Sequence, residues 1–178
     1  MKLVILDRDG VINYDSPHFI KSPQEWQPIP GSLEAIAQLN QAGYSVAIAS
    51  NQSGLGRGLF DESTLTAIHH KLQTALARLG GHIDFIAYCP HLPDTGCECR
   101  KPNPGLLQQI ATHFKIDLKG IPFVGDSLKD LQAAENAGCN GILVMTGNGE
   151  NTWMKNPSLS HPRYSDLKDF VTDLLQGQ

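Results

Sequence analysis

Two carboxylates one residue apart, in Asp7-Arg8-Asp9-Gly10-Val11, follow directly on the apolar run Leu3-Val4-Ile5-Leu6. The glycine after them lets the backbone turn sharply. A phosphate monoester resists attack mainly because anions repel one another, so a carboxylate can attack it only when a divalent cation and fixed donors neutralise the phosphoryl oxygens. Asp126, in Gly125-Asp126-Ser127 after another apolar run, can complete with Asp7 a hard, oxygen-rich site of the kind Mg²⁺ prefers. Taken singly these motifs are weak. Asp-x-Asp-Gly is often a turn, Gly-Asp-Ser a helix cap, and a lone Ser50-Asn51 or Arg100-Lys101 ordinary surface. Their weight lies in their occurring together, each at a strand end or neighbouring loop.

A second constellation is Cys89-Pro90-His91 followed by Cys97-Glu98-Cys99. Three thiolates and one imidazole fill the four tetrahedral positions of a structural Zn²⁺ site and leave none open for a catalytic water. Soft ligands crowded into one segment argue for metal rather than disulfides, whereas Cys139, far away, reads as a small core hydrophobe. This zinc-binding loop, 89–99, runs straight into Arg100 and Lys101. A metal clamp there would orient two cations toward an anionic substrate without taking part in the chemistry.

Positioning these residues requires strands and helices in alternation. Strands are expected over Leu3 to Leu6, Ser45 to Ala49, Ile83 to Tyr88, Ile121 to Val124 and Gly141 to Met145. Between them, Pro30-Gly31-Ser32 opens a helix that Gly43 stops, and Ser53 to Gly58 is a glycine-rich turn. Asp61 caps a helix whose apolar positions Leu65, Ile68, Leu72, Leu76 and Leu79 follow the 3.6 period. Asn103-Pro104 supplies a cap and a first-turn proline for the next helix, and Ser127 caps one that Gly138 ends. Gly147 to Pro162 reads as irregular, Ser165 to Leu175 as a closing helix, and Trp26 and Trp153 as packing over the sheet edges. The pattern predicts an α/β fold, a Rossmann-like parallel sheet with helices on both faces and right-handed crossovers. Ligands of such sheets bind beyond the carboxyl ends of the strands, where Asp7, Ser50 with Asn51, and Asp126 would converge.

The 178 residues suit a single domain, 1–178. With 40% hydrophobic and 18% charged residues and a net charge of −4, neither disorder nor a general attraction to nucleic acid is expected. An anionic ligand must then be held by a few placed cations. The apolar start is too short for a secretory signal, and no stretch approaches the roughly 20 apolar residues of a membrane span. A cytoplasmic monomer with no membrane partner is the expectation.

In this order, Asp7-Arg8-Asp9-Gly10-Val11, Ser50-Asn51-Gln52, Arg100-Lys101-Pro102 and Gly125-Asp126-Ser127-Leu128-Lys129-Asp130 resemble the four motifs of the haloacid dehalogenase superfamily, over roughly Lys2 to Val144. The resemblance implies Asp7 as nucleophile and Asp9 as the acid that protonates the leaving alkoxide, then as the base that activates water. It implies Ser50 and Lys101 on the transferring phosphoryl group. Mg²⁺ would be held by Asp7, the backbone carbonyl of Asp9 and Asp126, with Asp130 behind them.

The Cys/His loop and Asn51-Gln52-Ser53-Gly54 narrow the resemblance to a branch without a large cap domain. That branch contains the D-glycero-D-manno-heptose 1,7-bisphosphate 7-phosphatases and the histidinol-phosphate phosphatases. Gly54-Leu55-Gly56-Arg57-Gly58 is similar to the heptose enzymes, which work on the way to the nucleotide-activated heptose of lipopolysaccharide core. A bisphosphate brings a second anion that Arg57 and Arg100 could grip, whereas histidinol phosphate carries an ammonium. Asn51 and Gln52 are placed among the substrate contacts, and Asp15 and His18 lie where a flap would meet sugar hydroxyls. Ser127 departs from the lysine often found after the fourth-motif aspartate, and Lys129 is not assigned that lysine's role. His69 and His70 are given no role. The rivals are a histidinol-phosphate phosphatase and, from another class, an inactive zinc-stabilised phosphate-binding protein. All the expected catalytic groups are present, so nothing in the sequence favours the latter.

Overall fold

Every side chain of the first strand, β1 (Leu3–Leu6), is buried: Leu3 and Ile5 enter one apolar cluster, Val4 and Leu6 the other. A strand that alternates between two cores lies inside a sheet covered on both faces. The computed structural model, which describes residues 1–177, has that arrangement. After β1 come α1 (Ser32–Gln41), β2 (Ser45–Asn51), the single-turn α2 (Ser53–Gly56), α3 (Glu62–Ala77) and β3 (Phe85–Cys89). The second half runs through α4 (Gly105–Phe114), β4 (Pro122–Gly125), α5 (Leu128–Ala137), β5 (Asn140–Val144), α6 (Gly149–Lys155), β6 (Arg163–Tyr164) and α7 (Leu167–Gln176).

The strands pair in parallel in the order β3-β2-β1-β4-β5-β6. One face is covered by α1, α3 and α7 through Ile36, Leu39, Leu72 and Phe170, the other by α4 and α5 through Leu106, Ile110 and Ala133. The strand order reverses between β1 and β4, the place where open parallel sheets bind ligands beyond their carboxyl ends. Asp7 and Asp126 are the first residues past those two strands. The stretch from β1 to α1 carries only a short 3-10 turn, Pro23–Glu25, and no large cap.

Several boundaries differ from the sequence expectation. β2 runs two residues past Ala49, so Ser50 and Asn51 are fixed in the ladder opposite Tyr88 and Cys89 rather than following the strand. β3 starts at Phe85 and reaches Cys89, which puts the first cysteine of the Cys/His loop on a strand. Asp61 does cap α3, accepting from the Thr64 amide, but the helix stops at Ala77 and leaves Leu79 39% exposed on the turn at Gly80. Pro104 occupies the cap position of α4, while Asn103 Nδ2 donates to the Cys97 carbonyl at 2.8 Å.

The segment 147–162 is not irregular throughout, because α6 and the approach to β6 lie within it. Seven residues without an apolar period give little sequence signal, and α6 is held instead by Thr152 Oγ1 donating to the Asp126 carbonyl at 2.8 Å. Trp153 sits at the sheet edge, with the Arg163 guanidinium 3.8 Å from its ring centre. Trp26 is instead buried within the core. Among the described residues no helix is long and apolar enough to cross a membrane.

Candidate active site

Three carboxylates meet at the switch point. One oxygen from each of Asp7, Asp126 and Asp130 lies within 4.8 Å of the others, and all three residues are buried. Lys101 Nζ sits among them, 3.0 Å from Asp7 Oδ1 and 2.7 Å from Asp130 Oδ1, and also donates to the Ala49 carbonyl at 2.9 Å. These partners hold the Lys101 ammonium well above its usual range although burial opposes its charge. Burial, then the neighbouring Asp130, push Asp7 well above the carboxylate range against the pull of Lys101. The same two causes push Asp126 up to about 7. Such crowding of negative charge fits a hard divalent cation, which would relieve it.

Asp130 is already committed: Oδ1 to Lys101, and Oδ2 to the amides of Asp126 and Ser127 and the Ser127 hydroxyl at 2.9–3.1 Å. Asp7 and Asp126 are therefore the better direct ligands. Backbone shape matters as much as charge here. A Cβ at Gly10 or at Gly147, both at positive φ, would collide with the Asp126 carboxylate. The Asn148 amide donates to Asp126 Oδ2 at 2.8 Å, and Thr146 Oγ1 to the Gly10 carbonyl at 2.7 Å.

Asp9 is gripped from several sides. Its Oδ1 accepts from Arg8 Nε and Asn13 Nδ2, each at 2.9 Å, and its Oδ2 accepts from Gln52 Nε2 at 3.2 Å. Burial raises its pKa, but the Arg8 charge and these hydrogen bonds more than offset it and leave Asp9 below the usual range. Gln52 also donates to Ser50 Oγ at 2.7 Å.

A cleft of about 450 Å³ opens over this cluster, lined by Asp7, Asp9, Asp15, Asn51, Gln52, Arg100, Lys101 and Asp126, with Phe19, Lys129 and Asn148. A larger hollow of about 900 Å³ beside α2 and His91 includes none of the clustered carboxylates, and chemistry decides for the smaller one. Ser50 is 1% exposed beneath it. Asn51 uses both ends of its amide on the Lys101 backbone, at 3.0 and 3.2 Å, and so fixes the lysine's position. Arg100 has a buried Nη1 with no hydrogen-bond partner. Arg57 is exposed and does not line the cleft; its guanidinium lies 5.5 Å from the ring centre of Phe19, which does. His18 is not brought in, for it lines a separate hollow across the flap.

The Cys/His loop closes on itself. Cys89 Sγ lies 3.0 Å from Cys99 Sγ and 3.6 Å from Cys97 Sγ, and His91 Nδ1 lies 3.2 Å from Cys99 Sγ. The four ligand atoms lie within 4.8 Å of one another, and the cysteines are free. A tetrahedron with Zn–S bonds of about 2.3 Å has edges near 3.7 Å, so the set fits zinc. The loop is pinned at the Glu98 carbonyl, which accepts from the Gly105 amide at 3.1 Å and would clash with any Cβ there.

Comparisons with known proteins point to one family. Residues 98–173 match the HAD-hydrolase-like family model. A D-glycero-β-D-manno-heptose-1,7-bisphosphate 7-phosphatase of Bordetella bronchiseptica is 61% identical over 152 residues, 85% of each chain. The enzyme of the same name from Pseudomonas putida is 52% identical over 98% of this chain and 100% of its own. This chain belongs to the heptose-bisphosphate phosphatase family. The crystal structure of the D,D-heptose 1,7-bisphosphate phosphatase from B. bronchiseptica, complexed with magnesium and phosphate, superimposes with a TM-score of 0.98 at 55% identity over both whole chains. That from Burkholderia thailandensis gives 0.78 at 45% identity, covering 98% of this chain and 99% of that one.

In this member of the heptose-bisphosphate phosphatase family, several residues at the site carried no sequence assignment. Arg8 and Asn13 reach Asp9, and Phe19, at φ 66, lines the cleft. Asn148 links Asp15 to Asp126, its side chain donating to the first and its backbone N–H to the second, and Lys129 lines the cleft beside Arg100. Lys129, two residues after Ser127, was given no substrate contact. The others lie in segments whose local pattern says turn or coil.

Proposed function

We propose that the chain is a Mg²⁺-dependent phosphatase that removes the 7-phosphate of D-glycero-β-D-manno-heptose 1,7-bisphosphate through an aspartyl-phosphate on Asp7. The observation that carries the mechanism is the meeting of Asp7, Asp126 and Lys101 under one cleft at the switch point. The substrate follows the heptose-bisphosphate relatives that match over nearly the whole chain.

Mg²⁺ would be held by Asp7, Asp126 and the Asp9 carbonyl, and when bound it supplies the positive charge that keeps both carboxylates ionised and neutralises the phosphoryl oxygens. An Asp7 carboxylate oxygen forms a bond to phosphorus while the bond from phosphorus to the sugar oxygen breaks. The resting Asp9 carboxyl lies below the usual range, so it first takes up a proton from solvent, favoured by the phosphate's negative charge beside it, and then gives that proton to the leaving alkoxide. Asp9 then takes a proton from water as that water attacks phosphorus, releasing inorganic phosphate and restoring Asp7. Lys101 and the Ser50 hydroxyl steady the transferring group, and Arg100, which lines the cleft, meets the second phosphate. Arg57 stays outside the cleft, against the Phe19 ring that lines it; Gln52 holds Asp9, and Asp15 lines the sugar end of the cleft. Cys89, His91, Cys97 and Cys99 would hold Zn²⁺, which would brace the Arg100-Lys101 segment. The enzyme acts as a cytoplasmic monomer on a small sugar phosphate, engaging neither nucleic acid nor membrane, in the supply of heptose for lipopolysaccharide core.

The test is phosphate release with Mg²⁺ from each anomer of the heptose bisphosphate and from histidinol phosphate. The expected kcat/KM is highest for the β-anomer, and a preference for histidinol phosphate would overturn the substrate. Asp7→Asn should lower kcat by about a thousandfold or more with the fold intact by circular dichroism. Substantial remaining turnover would exclude the covalent route.

A further inference from the structure

Arg8 stands between two catalytic carboxylates, yet its side chain does not enter the cleft. It is completely buried, with Nε on Asp9 Oδ1 at 2.9 Å, Nη2 3.4 Å from Gln52 Oε1 and Nη1 3.2 Å from His69 Nε2. A buried guanidinium loses hydration that a single carboxylate rarely repays, so its remaining N–H groups need acceptors. His69 supplies one from the middle of α3, whose Leu65, Ile68 and Leu72 anchor it in the core. It can accept only as the neutral imidazole. Burial and, next, the Arg8 charge lower its pKa to about 4, which keeps it neutral at physiological pH. His70, one residue on, is exposed and touches none of this.

We infer that Arg8 and His69 are positioning residues for Asp9, forming a chain of contacts from α3 to the carboxylate that must point at the leaving oxygen. Arg8 on Oδ1 and Gln52 on Oδ2 fix the plane of that carboxylate, and His69 fixes Arg8. Orientation of an acid at hydrogen-bond range is where small displacements cost rate. A purely structural pair would equally fill the space under α3. The two roles separate by leaving group, since a sugar alkoxide needs the proton of Asp9 and a nitrophenolate does not. The inference rests on Asp9 being the acid, a reading tested separately by Asp9→Asn, which should lose far more kcat/KM on the heptose ester than on 4-nitrophenyl phosphate.

The experiment compares kcat/KM, which reports the first phosphoryl transfer, for the heptose bisphosphate and for 4-nitrophenyl phosphate in His69→Leu and His69→Gln. Loss of the acceptor in His69→Leu should lower kcat/KM on the heptose ester about tenfold, through kcat rather than KM, and on the aryl ester by less than about twofold. The ratio of the two is independent of how much protein is folded. His69→Gln keeps an oxygen acceptor for Arg8 and should stay within about threefold of wild type on the heptose ester. Equal losses on both esters, no loss on either, or the same loss in His69→Gln as in His69→Leu would each overturn the inference. Should His69→Leu be insoluble, His69→Met removes the acceptor with an unbranched side chain and is read by the same ratio.

Discussion

Asp126 is a carboxyl whose environment disfavours its charge: burial first and Asp130 second raise it from 3.8 to about 7. A group with a raised folded pKa binds more protons folded than unfolded, so it makes the metal-free protein less stable as pH rises from about 4 to about 7. A cation at Asp7 and Asp126 removes that penalty. At a fixed Mg²⁺ concentration, the rise in Tm should therefore be larger near pH ~8 than near pH ~5, and the reverse order would contradict the site. At the same scale, Arg100→Ala should raise KM for the bisphosphate about tenfold while changing kcat by less than about threefold, read from initial rates. Asp7 and Asp126 were legible because each follows an apolar run and matches a motif, and Asp130 because it falls within the fourth motif. Arg8 and His69 were not, because a charged residue inside a turn motif and a histidine pair on an amphipathic helix both read as surface. Only the folded chain shows that Arg8 is buried and paired.

Between strands and helices, the proposed function places its demands on two connecting segments. The Cys/His loop carries Arg100 and Lys101 at its end, and its four ligand atoms already converge. Cys97→Ser should release zinc, measured by elemental analysis, and raise KM more than it lowers kcat, since the loop orients cations and makes no bond to phosphorus. Full zinc content in the variant would contradict the ligand set. The second segment joins β5 to α6. Gly147 has φ 56, and a Cβ there would strike Asp126 and the Gly10 backbone. Gly147→Ala should cost about 1–3 kcal/mol by chemical denaturation and weaken Mg²⁺ activation. The Cys/His loop was legible because soft ligands are rare elsewhere in the chain. The 147–155 segment was not, because a short helix held by side-chain contacts to a distant strand end has no periodic pattern of its own.

At the scale of the molecule, the strand order places Asp7 and Asp126 side by side although 119 positions separate their numbers, 7 and 126. Strand–helix alternation predicted the parallel sheet, and the alternation of buried residues on β1 fixed it in the centre. The sixth strand, two residues long, was beyond the reach of pattern. A crystal structure of the protein with Mg²⁺ and beryllium trifluoride tests the central claim most directly. The expected result is a beryllium–oxygen bond to the Asp7 carboxylate with one Mg²⁺ touching both Asp7 and Asp126. Fluoride bonded to Asp9, or a metal that contacts only one of the two strand-end aspartates, would contradict it.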